Sequence, residues 1–191
     1  MIKLEQVKSD GQKKVVKHII ENYHSYVPTS KSVGRRIDWL IYDNEDFPVK
    51  AVGMIGIGSS VYPPPKAMLE YMGLSKFQYK DIFNTVANNW RFCMVKSIPN
   101  AGTQILKQMR ELAPPAWKKK YDDNLKYLIT FVGGGNNGAV YRADNWNMVG
   151  ETAGLPAHKM VSMKWNSDKE LKEKFVTPTG ENKKLIFMKK L

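Results

Sequence analysis

The sequence predicts an α/β chain of the α+β kind, built on a mixed, largely antiparallel central sheet of about six strands flanked by helices. Three stretches carry that prediction. Arg36–Asp43 (RIDWLIYD) and Val49–Gly58 (VKAVGMIGIG) are apolar runs joined by the polar turn Asn44-Glu45-Asp46, the mark of an antiparallel meander. Arg91–Ile98 (RFCMVKSI) runs into Pro99-Asn100-Ala101-Gly102 and then an amphipathic stretch, a strand feeding a helix through a turn. Tyr127–Val132, the loop Gly133-Gly134-Gly135-Asn136-Asn137-Gly138, the short helical Ala139–Ala143 and the extended Met148–Thr152 complete the set. That last stretch is also compatible with a plain β-hairpin turning at Asn137-Gly138.

Taken in order, residues 1–27 carry a helical stripe at Val15, Val16, Ile19 and Ile20, set among lysines and ended by Pro28. After the meander, Pro63-Pro64-Pro65 is a rigid break and Lys66–Met72 a short helix starting behind it. Phe77–Val86 reads as loop and helix. Ile105, Leu106, Met109 and Leu112 lie on one face of a helix from Thr103 to about Leu112, which Pro114-Pro115 is expected to stop. Met160–Trp165 and Leu185–Met188 read as further strands, and Lys189-Lys190-Leu191 as a solvated end. The expected organisation is one domain over residues 1–191, with its core at about 12–165 and a C-terminal extension at 166–191.

Composition narrows the function classes. Thirty Lys and Arg stand against 18 Asp and Glu, for a net charge of +12 and a pI near 9.6, which favours phosphate-bearing partners over neutral metabolites. No window approaches the roughly 20 apolar residues a membrane span needs, so no membrane association is expected. One cysteine, Cys93, sits in the apolar run Phe92–Val95. It excludes an intramolecular disulfide framework and reads as a small buried hydrophobe in a cytoplasmic protein. Three dispersed histidines and one Cys give no metal-ligand spacing, so no metal is expected.

Several residues suit a chemical role. His24, between Tyr23 and Tyr26 and ahead of Pro28, is the general-base candidate, because imidazole titrates near neutral pH; a surface histidine is the plainer alternative. Tyr141 can give a proton to a leaving group or hydrogen-bond the transferred moiety, or simply pack. Arg91 at a strand start suits bidentate binding of a phosphate or carboxylate, or a salt bridge. Asn100 and Gly102 are N-cap candidates at a helix start whose first N–H groups form a phosphate cradle, with Thr103 beside them. Asn145 is a turn former first and a ligand second. Trp117 with Lys118, Lys119 and Lys120, joined by Arg142, forms a basic aromatic set suited to nucleic acid, though lysine runs are more often solvated faces.

The order of elements resembles the GNAT acyltransferase fold, and Gly138–Trp146 resembles that family's late Tyr helix, with Asn145-Trp146 where Gly-Phe is usual. The family's donor signature, Q/R-x-x-G-x-G/A, is partly present in Pro99–Thr103. A narrower likeness lies in GAVYRADNWNMVGETAG, which resembles the C-terminal signature of Mom-type phage DNA-modification proteins and of the DUF4338 defence-island family. Asn89-Trp90-Arg91-Phe92 and Tyr23-His24-Ser25-Tyr26 resemble two further motifs of those families.

The resemblance implies a GNAT-like enzyme that adds a small acyl-type or carbamoylmethyl-type group to an exocyclic amine of DNA, adenine first, in a phage or host-defence setting. An acyl-CoA or another acyl or glycyl donor would supply the group, and DNA would be the partner. It also places His24, Tyr26, Arg91, Thr103 and Tyr141 at active-site positions. The family's acidic residue at the end of the fifth strand has no counterpart, since Gly133 or Gly134 falls there. A non-enzymatic nucleic-acid-binding subunit and a small-molecule N-acetyltransferase are the alternatives.

Overall fold

The computed structural model describes residues 1–24, 34–43, 50–152 and 183–191. Strand β1 (Ile2–Gln6) leads into helix α1 (Asp10–Tyr23), followed by β2 (Arg36–Asp43) and β3 (Ala51–Ser59). Two short helices come next, α2 (Lys66–Met72) and α3 (Lys76–Ile82), then β4 (Val86–Met94) and the long α4 (Ala101–Tyr121). The chain closes through β5 (Tyr127–Val132), α5 (Ala139–Ala143), β6 (Asn147–Glu151) and β7 (Leu185–Lys190). All seven strands form one sheet in the order β1-β2-β3-β4-β5-β7-β6. Every pair is antiparallel except β4 with β5, so the sheet is mixed and largely antiparallel as expected.

Helices cover both faces. Ala101, Ile105, Leu106, Met109, Ala113 and Trp117 of α4, with Tyr141 of α5, pack on Ile37, Trp39, Ile41, Ile55 and Phe187. On the opposite face α1 sets Val16, Ile19 and Ile20 against Leu40, Met54 and Cys93. Met68 of α2 and Tyr79 of α3 cover Val86, Ile129, Ile186 and Met188 on that same opposite side of their strands. A sheet buried on both sides has no polar face, which is why β2 and β3 read as continuous apolar runs rather than alternating ones.

Four expectations need correction. β1 is a strand rather than part of the first helix: Ile2 and Leu4 alternate inward while Lys3 and Glu5 face out, and Ser9 then caps α1 with a capping box to Gln12. α4 does not stop at Pro114-Pro115 but continues to Tyr121. The two prolines withdraw N–H donors at a solvent-facing stretch, where Glu111 and Pro115 are exposed, while buried Ala113 and Trp117 hold the helix to the sheet. β4 begins at Val86 rather than Arg91. The expected strand Leu185–Met188 is β7 and runs on to Lys190, so Lys189 and Lys190, expected in a solvated end, are ladder residues paired with Leu128 and Tyr127. The expected strand at 160–165 lies outside the described residues.

Candidate functional site

β4 and β5 run parallel but pair only from Val86 to Asn88, against Tyr127 to Ile129. Beyond that point the strands part. The wedge between them is a cleft of about 420 Å³, lined among others by Trp90, Phe92 and Met94 on β4 and by Thr130, Phe131 and Val132 on β5. Tyr23 and His24 at the end of α1 close one side, and the 136–141 stretch with Tyr141 closes the other. Since α1 and α5 lie on opposite faces of the sheet, the cleft connects the two faces.

A β-bulge at Trp90 sorts the β4 side chains between those faces. Ile57 pairs with Asn89 and Gly56 with Arg91, leaving Trp90 as the extra residue. Strand parity then flips: Asn89 reaches the α5 side, whereas Trp90 packs with the α1 cluster and Arg91 stacks on its ring at 4.8 Å. Trp90 is itself fixed from behind. Its Nε1–H donates to the Asp38 carboxylate at 3.0 Å, and the Arg36 guanidinium lies 4.0 Å from its ring centroid while bonding the same carboxylate. Burial raises the Asp38 carboxyl above its ordinary value in spite of that Arg36 bond.

On the α5 side, the Asn89 amide group donates to the Gly56 and Arg91 carbonyls, at 2.8 and 3.1 Å. Its Oδ1 is thereby turned to accept from the Tyr141 hydroxyl at 2.7 Å. Tyr141 is 7% exposed, stacked on Phe187 and edge-on to Trp146. The helix that carries it is tied down by a bidentate bond from Arg110 of α4 to Asp144, which also accepts from the Trp146 indole.

On the α1 side, His24, Arg91 and Lys184 come together. Burial, then the positive charges of Arg91 and Lys184, push the His24 imidazole down to about 4, so it is neutral at pH 7. This corrects the expectation that His24 titrates near neutrality. Burial, then Arg91, also lowers Lys184, whose stem lies against Gly133 at the end of β5. Among the described residues that line the cleft there is no Asp or Glu. Burial pushes the Cys93 thiol up to about 11, which suits a buried hydrophobe and not a nucleophile.

The start of α4 adjoins the cleft. Asn100 is the N-cap residue, in the left-handed region at φ 58°, and its side chain makes no cap bond to the first helical N–H groups. Thr103 Oγ1 donates back to the Asn100 carbonyl at 3.3 Å. Gly102 has a different role from the one expected: a Cβ there would fall 2.4 Å from Val140 Cγ2, so its bare backbone is the seat on which α5 packs. Gly102 and Tyr141 therefore lie together on one side of the molecule, and β5 pairs with β7 rather than folding into a hairpin with β6.

Other expected residues lie elsewhere. Trp117 is 0% exposed and donates its indole N–H to the Asn84 carbonyl, so it cannot stack on a nucleobase. Lys118 is paired with Asp122, and Lys120 donates to the Arg36 carbonyl; Lys119 is an exposed neighbour. Arg142 is on the surface, its Nε donating to the Asn137 carbonyl and its guanidinium over Phe187. Asn145 forms the left-handed turn that ends α5, at φ 55°, away from the cleft. Tyr26 lies outside the described residues. Asn89, Trp90 and Lys184 were missed: the first two stand in the Asn89–Phe92 motif, whereas Lys184 comes near His24 and Arg91 only because β7 inserts beside β5.

The sequence matches the family model described as Druantia protein DruA over residues 1–186. No curated protein sequence matches it. Solved structures do. Arabidopsis thaliana NAA60 in complex with acetyl-CoA superposes with a TM-score of 0.61 at 11% identity, covering 100% of this chain and 99% of that one. A GNAT-family acetyltransferase from Streptococcus pneumoniae gives 0.56 at 12% identity, with full coverage of both chains. The ribosomal-protein-S18-alanine N-acetyltransferase from Escherichia coli gives 0.52 at 11%, covering 100% of this chain and 94% of that one. The fold is GNAT-like. At such identities the likeness speaks for the fold alone.

Proposed function

This chain belongs to the Druantia protein DruA family, and from that premise, with its GNAT-like fold, we propose that it is a group transferase acting on a nucleobase amine in DNA. The group is a small acyl-type or carbamoylmethyl-type moiety, adenine is the preferred base, and the setting is defence. The observation that carries the reading is the cleft through the sheet, with Tyr141 on one side and His24 and Arg91 on the other, and the charge of Lys184 close to His24. A donor entering beside α4 and an acceptor entering beside α1 meet between β4 and β5. The NAA60 structure holds acetyl-CoA, which supports an acyl-CoA as the donor here.

The residues fit such a donor in two respects. β4 and β5 part beyond Asn88 and Ile129, which leaves room between them for an extended amide-bearing arm, and the start of α4, with no side-chain cap bond from Asn100, offers N–H groups to its phosphates. In an acyl transfer the amine nitrogen attacks the thioester carbonyl; the N–C bond forms, the C–S bond breaks, the amine loses a proton and the thiolate gains one. His24, neutral at pH 7, accepts the amine proton. A weak base suffices because the attacking nitrogen becomes strongly acidic once it is bonded to the carbonyl carbon. Tyr141, its hydroxyl proton donated to Asn89, positions the transferred group, and the leaving thiolate takes its proton from solvent. Arg91 and Lys184 hold a phosphate of the acceptor strand.

A non-enzymatic nucleic-acid-binding subunit is the second reading, favoured by the lack of a carboxylate among the described cleft residues. Mass spectrometry of nucleosides from plasmid co-expressed with the protein separates the two. The transferase reading expects an adenine adduct that falls by 10²-fold or more in Tyr141→Phe and His24→Ala, in line with the roughly 10²–10⁴-fold typical of acid–base groups. Salt-sensitive DNA binding with no adduct would establish the second reading instead.

A further inference from the structure

A second hollow of about 440 Å³ lies beside the cleft, between α1 and the ends of β2, β3 and β4. Val15, His18 and Tyr23 of α1 form one wall, and Tyr42, Lys50 and Val95 stand across from them. Tyr23 lines both hollows, so the groove adjoins the α1-side mouth of the cleft. We propose that this groove binds one nucleoside of a single nucleic-acid strand, next to the base that enters the cleft.

Three features point to that occupant. First, Val15 and Tyr23 are 40% and 47% exposed on one face of α1, two helical turns apart, so an apolar and aromatic surface is on display where a soluble helix ordinarily shows charge. Second, the rings are arranged to receive a flat heterocycle. His18 meets Tyr23 edge-on with centroids 6.3 Å apart, and Asn22 Nδ2 sits 3.1 Å from His18 Nδ1, which holds the imidazole in place. Tyr42 supplies a third ring from the sheet. Third, the cation at the rim is Lys50, which suits the phosphate linking one nucleoside to the next. Aromatic faces with an adjoining cation are how proteins hold single strands without reading their sequence. A purely apolar peptide would leave Lys50 unused, and a free polyamine would be repelled by it.

The proposal rests on the nucleic-acid reading of the acceptor but not on the transfer reaction. Its test is fluorescence anisotropy of the full chain with labelled mono- and dinucleotides and a short single-stranded oligonucleotide, over a salt series. Tyr42 and His18 do not line the cleft, so Tyr42→Ala and the surface variant His18→Ala isolate the groove from it. The wild type is expected to prefer the dinucleotide to the mononucleotide, with both variants losing about 5- to 100-fold of that preference, the range of one base–aromatic stack. Lys50→Gln is expected to reduce the salt slope by about one. Equal affinity for both probes, or a preference unchanged in folded His18→Ala, overturns the groove site. Groove-dependent strand binding without any modified base would uphold this site and defeat the transferase reading; a modified base with unaltered binding in the variants would do the reverse.

Discussion

Asn89 has its amide group committed to two main-chain carbonyls, which leaves Tyr141 only one way to bond it: the hydroxyl must donate to Oδ1. Tyr141→Phe therefore strips the donor from a buried carbonyl oxygen, and urea unfolding should show a loss of about 1–3 kcal/mol. His24 has a consequence for pH. At pH 7 its imidazole is neutral in the folded and the unfolded chain alike. As pH falls below the ordinary value of 6.5 the unfolded chain takes up a proton that the folded chain refuses until about pH 4. Stability should accordingly decline between about pH 6.5 and 4 and then level off for this group. Ring signals followed by NMR should show His24 titrating near 4, and Lys184→Met should raise that value, because it removes one of the charges holding it down. A His24 midpoint near 6.5 would show the imidazole to be solvated. Tyr141 was legible in the sequence through its motif. Its partner was not, because Asn89 and Tyr141 stand 52 residues apart and meet only once β4 and α5 are assembled on the same face of the sheet.

Between α5 and β7 the fit depends on the side chain that Gly138 lacks. Gly138 begins α5 at φ 71°, and a Cβ there would sit 2.4 Å from the Phe187 ring. Gly138→Ala combines left-handed strain with overpacking and is expected to cost about 2–5 kcal/mol, measured by chemical denaturation. Arg110→Met is expected to leave the nearly buried Asp144 carboxylate with the Trp146 indole and no guanidinium, a destabilisation of about 3 kcal/mol. Element type was largely readable from periodicity, and the short α5 was placed at Ala139–Ala143 from its flanking glycines and asparagines. The ends were less so. α4 outruns two prolines because Ala113 and Trp117 are buried against the sheet, a tertiary contact that overrides a local breaker.

At the scale of the molecule, the sheet order puts the last strand between β5 and β6, so chain order and spatial order diverge where the site is built. Leu185–Met188 was legible as a strand, but its place between β5 and β6 was not; there Phe187 stacks behind Tyr141 and Lys184 lies near Arg91. Removing residues 185–191 should abolish cooperative unfolding altogether, since β6 would lose its sheet partner and β5 one of its two. No helix among the described residues is long and apolar enough to cross a membrane. The net charge of +12 remains a property of the whole surface, because the lysine run expected to bind nucleic acid is partly spent on holding the end of α4. In the proposed transferase the space between β4 and β5 receives the donor. Amide NMR spectra recorded with acetyl-CoA test it most directly: shifts confined to Phe92–Met94, Thr130–Val132 and the start of α4 are expected, and saturable binding that leaves those signals unmoved would contradict it.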